Sequence, residues 1–315
     1  MSRLRDALVK YLEVRRAFGT QLREAAVSLG HFVDVLDRDG TEVITTQLAQ
    51  RWAEEPQGVQ RATWARRLTA VRQFAAWLSA FDPRMEIPPR GLITARHRRQ
   101  KPHIFTEQEI EHLMVEAARL PSPRGLRALT QTTIIGLLAA TGLRPGEALA
   151  LQRSEVDLQN GILVIRQTKF GKSRFVPIEA STLTALAHYV ERRDTLCPRR
   201  HSEAFFLSER GTSVKLHAVR RTFAKISRTI GIRAPAAVRR SGRGPRLQDF
   251  RHTFATRRLL EWYRDGVDVE REMPRLATYL GHVTVSHTYW YIEAIPELLQ
   301  LATESSTARQ QGGAR

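Results

Sequence analysis

The sequence predicts a mainly α-helical protein with a small antiparallel β-hairpin or sheet, and three observations predict it. Apolar residues recur at helical spacing through the first eighty positions, for instance Leu22, Ala26, Leu29, Val33 and Leu36, then Trp64, Leu68, Val71, Ala75 and Leu78. A second set of helical patterns opens at a capping box, T-E-Q-E from Thr106, where the threonine and the glutamate three residues on satisfy each other's backbone N–H groups. Only two short β-type runs stand out, GILVIRQT from Gly161 and SRFVPI from Ser173, and they flank a tight turn.

Taken in order, residues 1–82 read as an N-terminal bundle of about four helices, divided by Gly19, Asp39-Gly40 and Pro56-Gln57-Gly58. Residues 83–103 read as a basic, proline-rich linker: Pro83, Pro88, Pro89 and Pro102 keep it extended, and Arg96, Arg98, Arg99 and Lys101 could track a phosphate backbone. Residues 104–304 read as a second domain. Its helix around Leu129 to Ala140 is apolar nearly all round and therefore buried, ending at Thr141-Gly142. The hairpin follows, with Lys169-Phe170-Gly171-Lys172 at its turn, then helices over 181–193 and 216–230. The stretch 233–246 has five arginines and no acid, and reads as a basic loop in which Arg239, Arg240 and Arg243 are candidate DNA contacts. Further helices are expected over 251–263 and 273–280, with a short one around Thr288. Residues 305–315 are small and polar and are expected to be a disordered tail.

The charge narrows the partner. Fifty Lys plus Arg against 32 Asp plus Glu leave a net charge of +18, and only six of the basic residues are lysines. Arginine stays charged near neutrality, so this excess grips anions, and nucleic acid is the first candidate polyanion. A solvated, arginine-rich surface is the plain alternative. No stretch approaches the roughly 20 apolar residues of a membrane span, and the N-terminus lacks the apolar core of a secretion signal, so a cytoplasmic protein is expected. The lone Cys197 excludes an internal disulfide and a cysteine-cluster metal site. Neither an H-E-x-x-H pattern nor a glycine-rich phosphate loop appears, so no metal and no cofactor is expected.

Four strings carry chemistry once a phosphate is suspected: TGLRPGEALAL at 141–151, TKFGKSRFVPI at 168–178, LQDFRHTFAT at 247–256 and YLGHVTVSHTYWY at 279–291. Alone, each has an ordinary reading. Arg144 could be a solvated arginine after a glycine-capped helix, Arg251 a surface arginine, and His282 a helix-end histidine. Lys169 has a rival in Lys172 on the same turn, yet a lysine there is notable in a chain that otherwise uses arginine, since lysine can supply a proton. Tyr289 and Tyr291 point about 200° apart on a helix, so only one can face a given site.

Together the strings resemble the tyrosine recombinase (phage integrase) family from about Thr106 to Leu299. The resemblance implies a helical core-binding domain followed by the tyrosine-recombinase catalytic domain. It implies that Arg144, Lys169, Arg251 and His282 converge on one scissile phosphate, with Lys169 as general acid and Tyr291, nine residues after His282, as the nucleophile. Lys172 then becomes a DNA contact. One position departs: Gln248 stands where the family usually has histidine, and an amide can donate to a phosphate but cannot carry a proton. The resemblance further implies double-stranded DNA as substrate and a tetramer on two duplexes, with Ile295, Leu298, Leu299 and Ala302 as an apolar stripe for docking on a neighbour. Accessory recombinases are further candidate partners, and a prokaryotic nucleoid the expected place. The ending TYWYIEAIPELL resembles mobile-element integrases. A topoisomerase-like DNA-relaxing enzyme and a non-catalytic DNA-binding relative are the alternatives.

Overall fold

In the computed structural model the described residues are 2–19, 22–95, 101–166, 173–199, 201–235, 244–282, 284–294 and 297–301, without the side chains of 287, 293 and 294. The chain divides into two compact units, Met1–Gln100 and Lys101–Arg315.

The first unit is built from α1 (Arg3–Ala17), α2 (Arg23–Arg38), α3 (Thr46–Glu54) and α4 (Arg61–Leu78). Ser2 and Thr45 start α1 and α3 by accepting backbone N–H bonds from Arg5 and Leu48, both at 3.2 Å. The helical spacing puts Leu4, Leu8 and Tyr11 of α1, Leu29, Phe32, Val33 and Leu36 of α2, and Leu68, Val71, Phe74 and Ala75 of α4 into one core with Trp52 of α3. The first part of the expected linker packs on the bundle. Met85 and Ile93 are buried in this same core, and the Glu86 carboxylate accepts the Thr46 N–H at 2.7 Å. Two apolar side chains and one carboxylate thus tie a proline-rich segment onto the bundle, an outcome that basic and proline content alone does not encode.

The second unit contains α5 (Glu107–Ala118), α6 (Leu126–Thr141), α7 (Pro145–Ala150), β1 (Val156–Asp157), β2 (Ile162–Ile165), β3 (Arg174–Pro177), α8 (Ala180–Leu196), α9 (Leu216–Thr229), α10 (Asp249–Arg264), α11 (Val269–Leu280) and α12 (Ser286–Ala294). The capping box at Thr106 and Glu109 forms on α5. Helix α6 is buried nearly all round and packs against α5, α8 and α10. The sheet has three antiparallel strands in the order β1-β2-β3, with Leu163 opposite Val176 and Ile165 opposite Arg174. The two-residue β1 and the one-and-a-half-turn α7 were not among the expected elements; both are too short to show a period.

Three parts of the sequence reading meet the structure unevenly. Arg233 and Arg246, at the ends of the basic stretch, are held internally: Arg233 donates to the Pro245 carbonyl and Arg246 pairs with Asp249 at 2.9 Å. Leu298 is fully buried in this chain's own cluster with Ala255, Leu259, Leu276 and Tyr291, whereas Leu299 is about half exposed. Leu298 is therefore not available to a neighbour as the docking stripe requires. The tail 305–315, and Ile295 and Ala302 of that stripe, lie outside the described residues.

Candidate active site

The site forms where the end of α6, the start of α7, the inner face of β3, the start of α10 and the end of α11 meet. Gly142 ends α6 in the left-handed conformation (φ 61°), and a Cβ there would lie 2.7 Å from a ring carbon of Phe254. Two residues on, Arg144 caps α7, whose Pro145 and Glu147 occupy the positions where a missing N–H and a carboxylate favour a helix start. At α11 the chain turns at Gly281 (φ 70°), and the His282 N–H returns to the Ala277 carbonyl at 2.9 Å. That turn leaves the carbonyls of residues 279 to 281 without helical partners.

Three arginines fill those vacant places, one per consecutive carbonyl. Arg174 Nε donates to the Tyr279 oxygen at 2.8 Å, Arg251 Nη2 to the Leu280 oxygen at 2.6 Å, and Arg144 Nη2 to the Gly281 oxygen at 3.1 Å. Arg251 also donates to the Gly142 carbonyl at 3.2 Å, so one guanidinium joins the ends of α6 and α11. Glu147 is the carboxylate in this group. It accepts from Arg144 Nη1 at 2.7 Å and from both terminal nitrogens of Arg174, at 3.2 and 2.9 Å. The helix end contributes about half a negative charge. Three guanidiniums against one carboxylate and a helix end leave positive charge over, which is the electrostatics of an anion site.

The ionisation of these groups follows from the packing. Burial pushes the Arg251 guanidinium down to about 10; Tyr291 and Glu147 hold it up while Arg144 and Arg174 push it further down. Burial would raise the Glu147 carboxyl, but hydrogen bonds and charge from Arg174 and Arg144 prevail and hold it below the usual carboxylate range. Both stay charged at neutral pH.

The phenols separate clearly. Tyr291 is 3% exposed and its ring lies 6.1 Å from the His282 ring at 22°, with His252 at 5.4 Å and Trp290 at 5.7 Å. Tyr289 is 41% exposed, as the helical angle between the two positions requires. Tyr279 stacks on Phe254 at 5.5 Å and sends its hydroxyl toward the Pro177 carbonyl, and burial pushes that phenol up to about 12. His282 Nδ1 is 2.7 Å from the hydroxyl of Thr288, a fully buried residue three positions before Tyr291 on α12. One helix therefore carries the candidate nucleophile and the group that orients the histidine.

The structure thus brings Arg144, Arg251, His282 and Tyr291 together. Gln248 is the N-cap residue of α10 and makes no side-chain capping bond; its carbonyl accepts the Arg251 N–H at 3.2 Å. Lys169 lies outside the described residues, as do Arg96, Arg98, Arg99, Lys172, Arg239, Arg240 and Arg243; Lys101 is exposed at the start of the second unit. Sequence reasoning missed Arg174 and Thr288. Arg174 did leave a signal, since strand alternation puts it on the same face as the buried Val176, with Phe175 facing out at 72% exposure. Among the described residues no group of three or more His, Cys, Asp or Glu could hold a metal ion, and no helix is long and apolar enough to cross a membrane.

Residues 103–297 match the phage integrase family. The chain is 42% identical over 306 residues to the putative integrase/recombinase y4rB of Sinorhizobium fredii, covering 96% of each protein. It is 28% identical to the tyrosine recombinase XerD of Caulobacter vibrioides, over 98% of this chain and 97% of that one. Among solved structures it is similar in fold to the Tn1549 transposon integrase in complex with transposon right end DNA, with a TM-score of 0.65, 15% identity, and coverage of 98% and 99%.

Proposed function

The chain belongs to the phage integrase family and is a tyrosine-type site-specific recombinase, and on that premise we propose how its residues divide the reaction. Tyr291 attacks the scissile phosphorus through its phenolic oxygen, forming a 3′-phosphotyrosyl bond as the bond to the 5′ oxygen breaks. Arg144 and Arg251 hold the non-bridging oxygens, whose negative charge grows toward the transition state. His282, oriented by Thr288, takes the phenolic proton. Lys169 supplies a proton to the leaving 5′ oxygen, and Gln248 donates a hydrogen bond to a non-bridging oxygen. The 5′ hydroxyl of a partner strand then reverses the step on a new junction. The phosphotyrosyl bond conserves the energy of the broken one, so no nucleotide need be hydrolysed.

The observation that carries this reading is the convergence of Arg144, Arg251 and Arg174 on three successive carbonyls beside Tyr291. The depressed Arg251 corresponds to a charge-burial cost on the order of 3 kcal/mol, which a bound phosphate would return. The substrate proposed is double-stranded DNA. The first unit contributes to its binding through a groove between α2 and α4 lined by Arg23, Thr63, Arg66 and Arg67, with Glu24 beside Arg66, and the basic residues 96–101 add to it. The names of the relatives favour a mobile element as the setting, acting in the cytoplasm at the nucleoid. Assembly as four protomers on two duplexes is part of the same reading, with the exposed Leu299 as one contact.

Covalent trapping tests it. The wild-type chain on a nicked duplex of its cognate site should yield a protein–DNA adduct that survives denaturation. Failure on every cognate substrate, paired with an active Gln248→His variant, would identify a DNA-binding relative that has lost its chemistry. A monomer on DNA that relaxes supercoils without exchanging strands would favour the topoisomerase-like reading.

A further inference from the structure

We infer that Arg174 is a positioning residue for strand cleavage: by occupying the Glu147 carboxylate it keeps the charge of Arg144 available to the scissile phosphate. The inference rests on the catalytic reading above and deepens it, since none of the four motif strings gives Arg174 a role.

Arg144 and Arg174 share Glu147 but differ in access. The Arg174 side chain is 9% exposed and the Arg144 side chain 37%, so Arg144 is the open member of the trio. Arg174 spends three of its nitrogens inside: Nε on the Tyr279 carbonyl, and Nη1 and Nη2 on the two oxygens of Glu147. Arg144 donates one side-chain bond to the same carboxylate, through Nη1, and its backbone N–H donates another at 3.1 Å. Without Arg174, Glu147 would have one guanidinium left to pair with. A forked pair would then form across three residues of α7, cancelling the charge of Arg144 and drawing its fork away from the substrate side. With Arg174 in place, one buried pair is neutral and Arg144 keeps its charge.

The fold protects this arrangement. Arg174 opens β3, opposite Ile165, on the face that alternation turns inward. A Cβ on Gly281 would lie 2.7 Å from Arg174 Nη1, so the turn that follows α11 has been left without a side chain where the guanidinium passes. Glu147 remains ionised because burial is outweighed by both arginines, Arg174 contributing more than Arg144.

The test is single-turnover adduct formation by the full-length chain on a nicked duplex, with DNA affinity and thermal midpoint measured beside it. Arg174→Gln should slow adduct formation by about tenfold or more while DNA affinity stays within about twofold, because the residue does not face solvent. Arg174→Lys keeps a positive charge beside Glu147 and should retain a rate within about threefold of wild type. In the double variant Arg174→Gln/Glu147→Gln the carboxylate no longer competes for Arg144, and the rate should recover above that of Arg174→Gln alone. A merely structural arginine predicts the reverse, a double variant no faster than the single one, and this result would overturn the inference even if Arg174→Gln is poorly stable. So would Arg174→Gln cleaving at the wild-type rate, or Arg174→Lys as slow as Arg174→Gln. If the wild-type chain itself forms no adduct, the catalytic reading fails first; a cleaving wild type matched by Arg174→Gln removes only the role of Arg174.

Discussion

Two arginines of the second unit are almost wholly buried, and they differ in whether a carboxylate meets the guanidinium. Arg193 on α8 donates to the Asp194 carboxylate at 2.9 Å, which it shares with Arg153 at 3.0 Å, donates to the Phe205 carbonyl at 2.7 Å, and lies over the rings of Tyr189 and Phe205 at 5.6 and 5.5 Å. Arg251 on α10 is hydrogen-bonded, among the described residues, by two backbone carbonyls, and the nearest charges include two further guanidiniums. Burying an arginine is costly in either place. At Arg193 a carboxylate, a carbonyl and two rings offset much of the cost, although its Nη2 has no hydrogen-bond partner among the described residues. At Arg251 it is met only in part, and the remainder is what an incoming anion can relieve. Burial therefore does not mark a site by itself; what sets Arg251 apart is that its side-chain hydrogen bonds among the described residues go to carbonyls and not to a carboxylate.

The contrast can be broken in several ways, and the largest effect is expected at the phenol that the Arg251 pocket serves. Tyr291→Phe should bind DNA normally and form no covalent adduct on a denaturing gel, whereas Tyr279→Phe and Tyr289→Phe should still form one. An adduct from Tyr291→Phe would show that the wrong hydroxyl has been chosen. Next come the two arginines themselves. Arg251→Gln should lose about a hundredfold or more in cleavage rate, the usual cost of one transition-state donor, with its thermal midpoint unchanged or raised. Arg193→Gln should do the opposite: stability falls by about 3 kcal/mol as the buried pocket and the Phe205 carbonyl lose their partner while Asp194 keeps Arg153, and the rate per folded molecule holds. Two variants with the same profile would erase the distinction.

A smaller effect sharpens the same point without DNA. Sulfate should raise the thermal midpoint of the wild type and of Arg193→Gln; a site filled to a hundred times its dissociation constant gains about 2.7 kcal/mol. Arg251→Gln should show no such gain, and a sulfate response unaffected by that change would place the anion elsewhere. The smallest effect is in pH. Glu147 is held below the usual carboxylate range, so its contribution to stability is complete above the unfolded value and is lost as pH falls through the folded one. The midpoint difference between wild type and Glu147→Gln should then be constant above about pH 5 and shrink below about pH 4. A difference that grows on acidification would contradict the assigned ion pairs.

Much of this was legible in the sequence, for a local reason. Arg144, Arg251, His282 and Tyr291 sit in strings whose neighbours shape the turn that presents them: Gly142 before the first arginine, Gly281 before the histidine, and α12 with its helical angle separating Tyr291 from Tyr289. The expected helices of the second unit appear at nearly the expected positions because their caps and periods are themselves local. What stayed hidden depends on contacts distant in sequence. Nothing near Arg174 announces Glu147, twenty-seven residues away, or the Tyr279 carbonyl, 105 residues away. Thr288 acquires meaning only from the histidine it touches. Likewise the anchoring of Met85 and Ile93 depends on a bundle surface that the proline-rich stretch cannot foretell.

The two glycines that frame the arginines have a consequence for mutational genetics. Every missense change at codon 142 or 281 adds at least a Cβ, which would meet Phe254 or Arg174 at 2.7 Å on a backbone that side chains rarely adopt. The turns at Gly19 and Gly58 share the left-handed backbone, at φ 79° and 68°, but a Cβ there meets nothing within 4 Å and costs only the backbone strain. A random library screened for loss of recombination should therefore accumulate hits at these two codons out of proportion to their length in the gene, while full-length protein is still made.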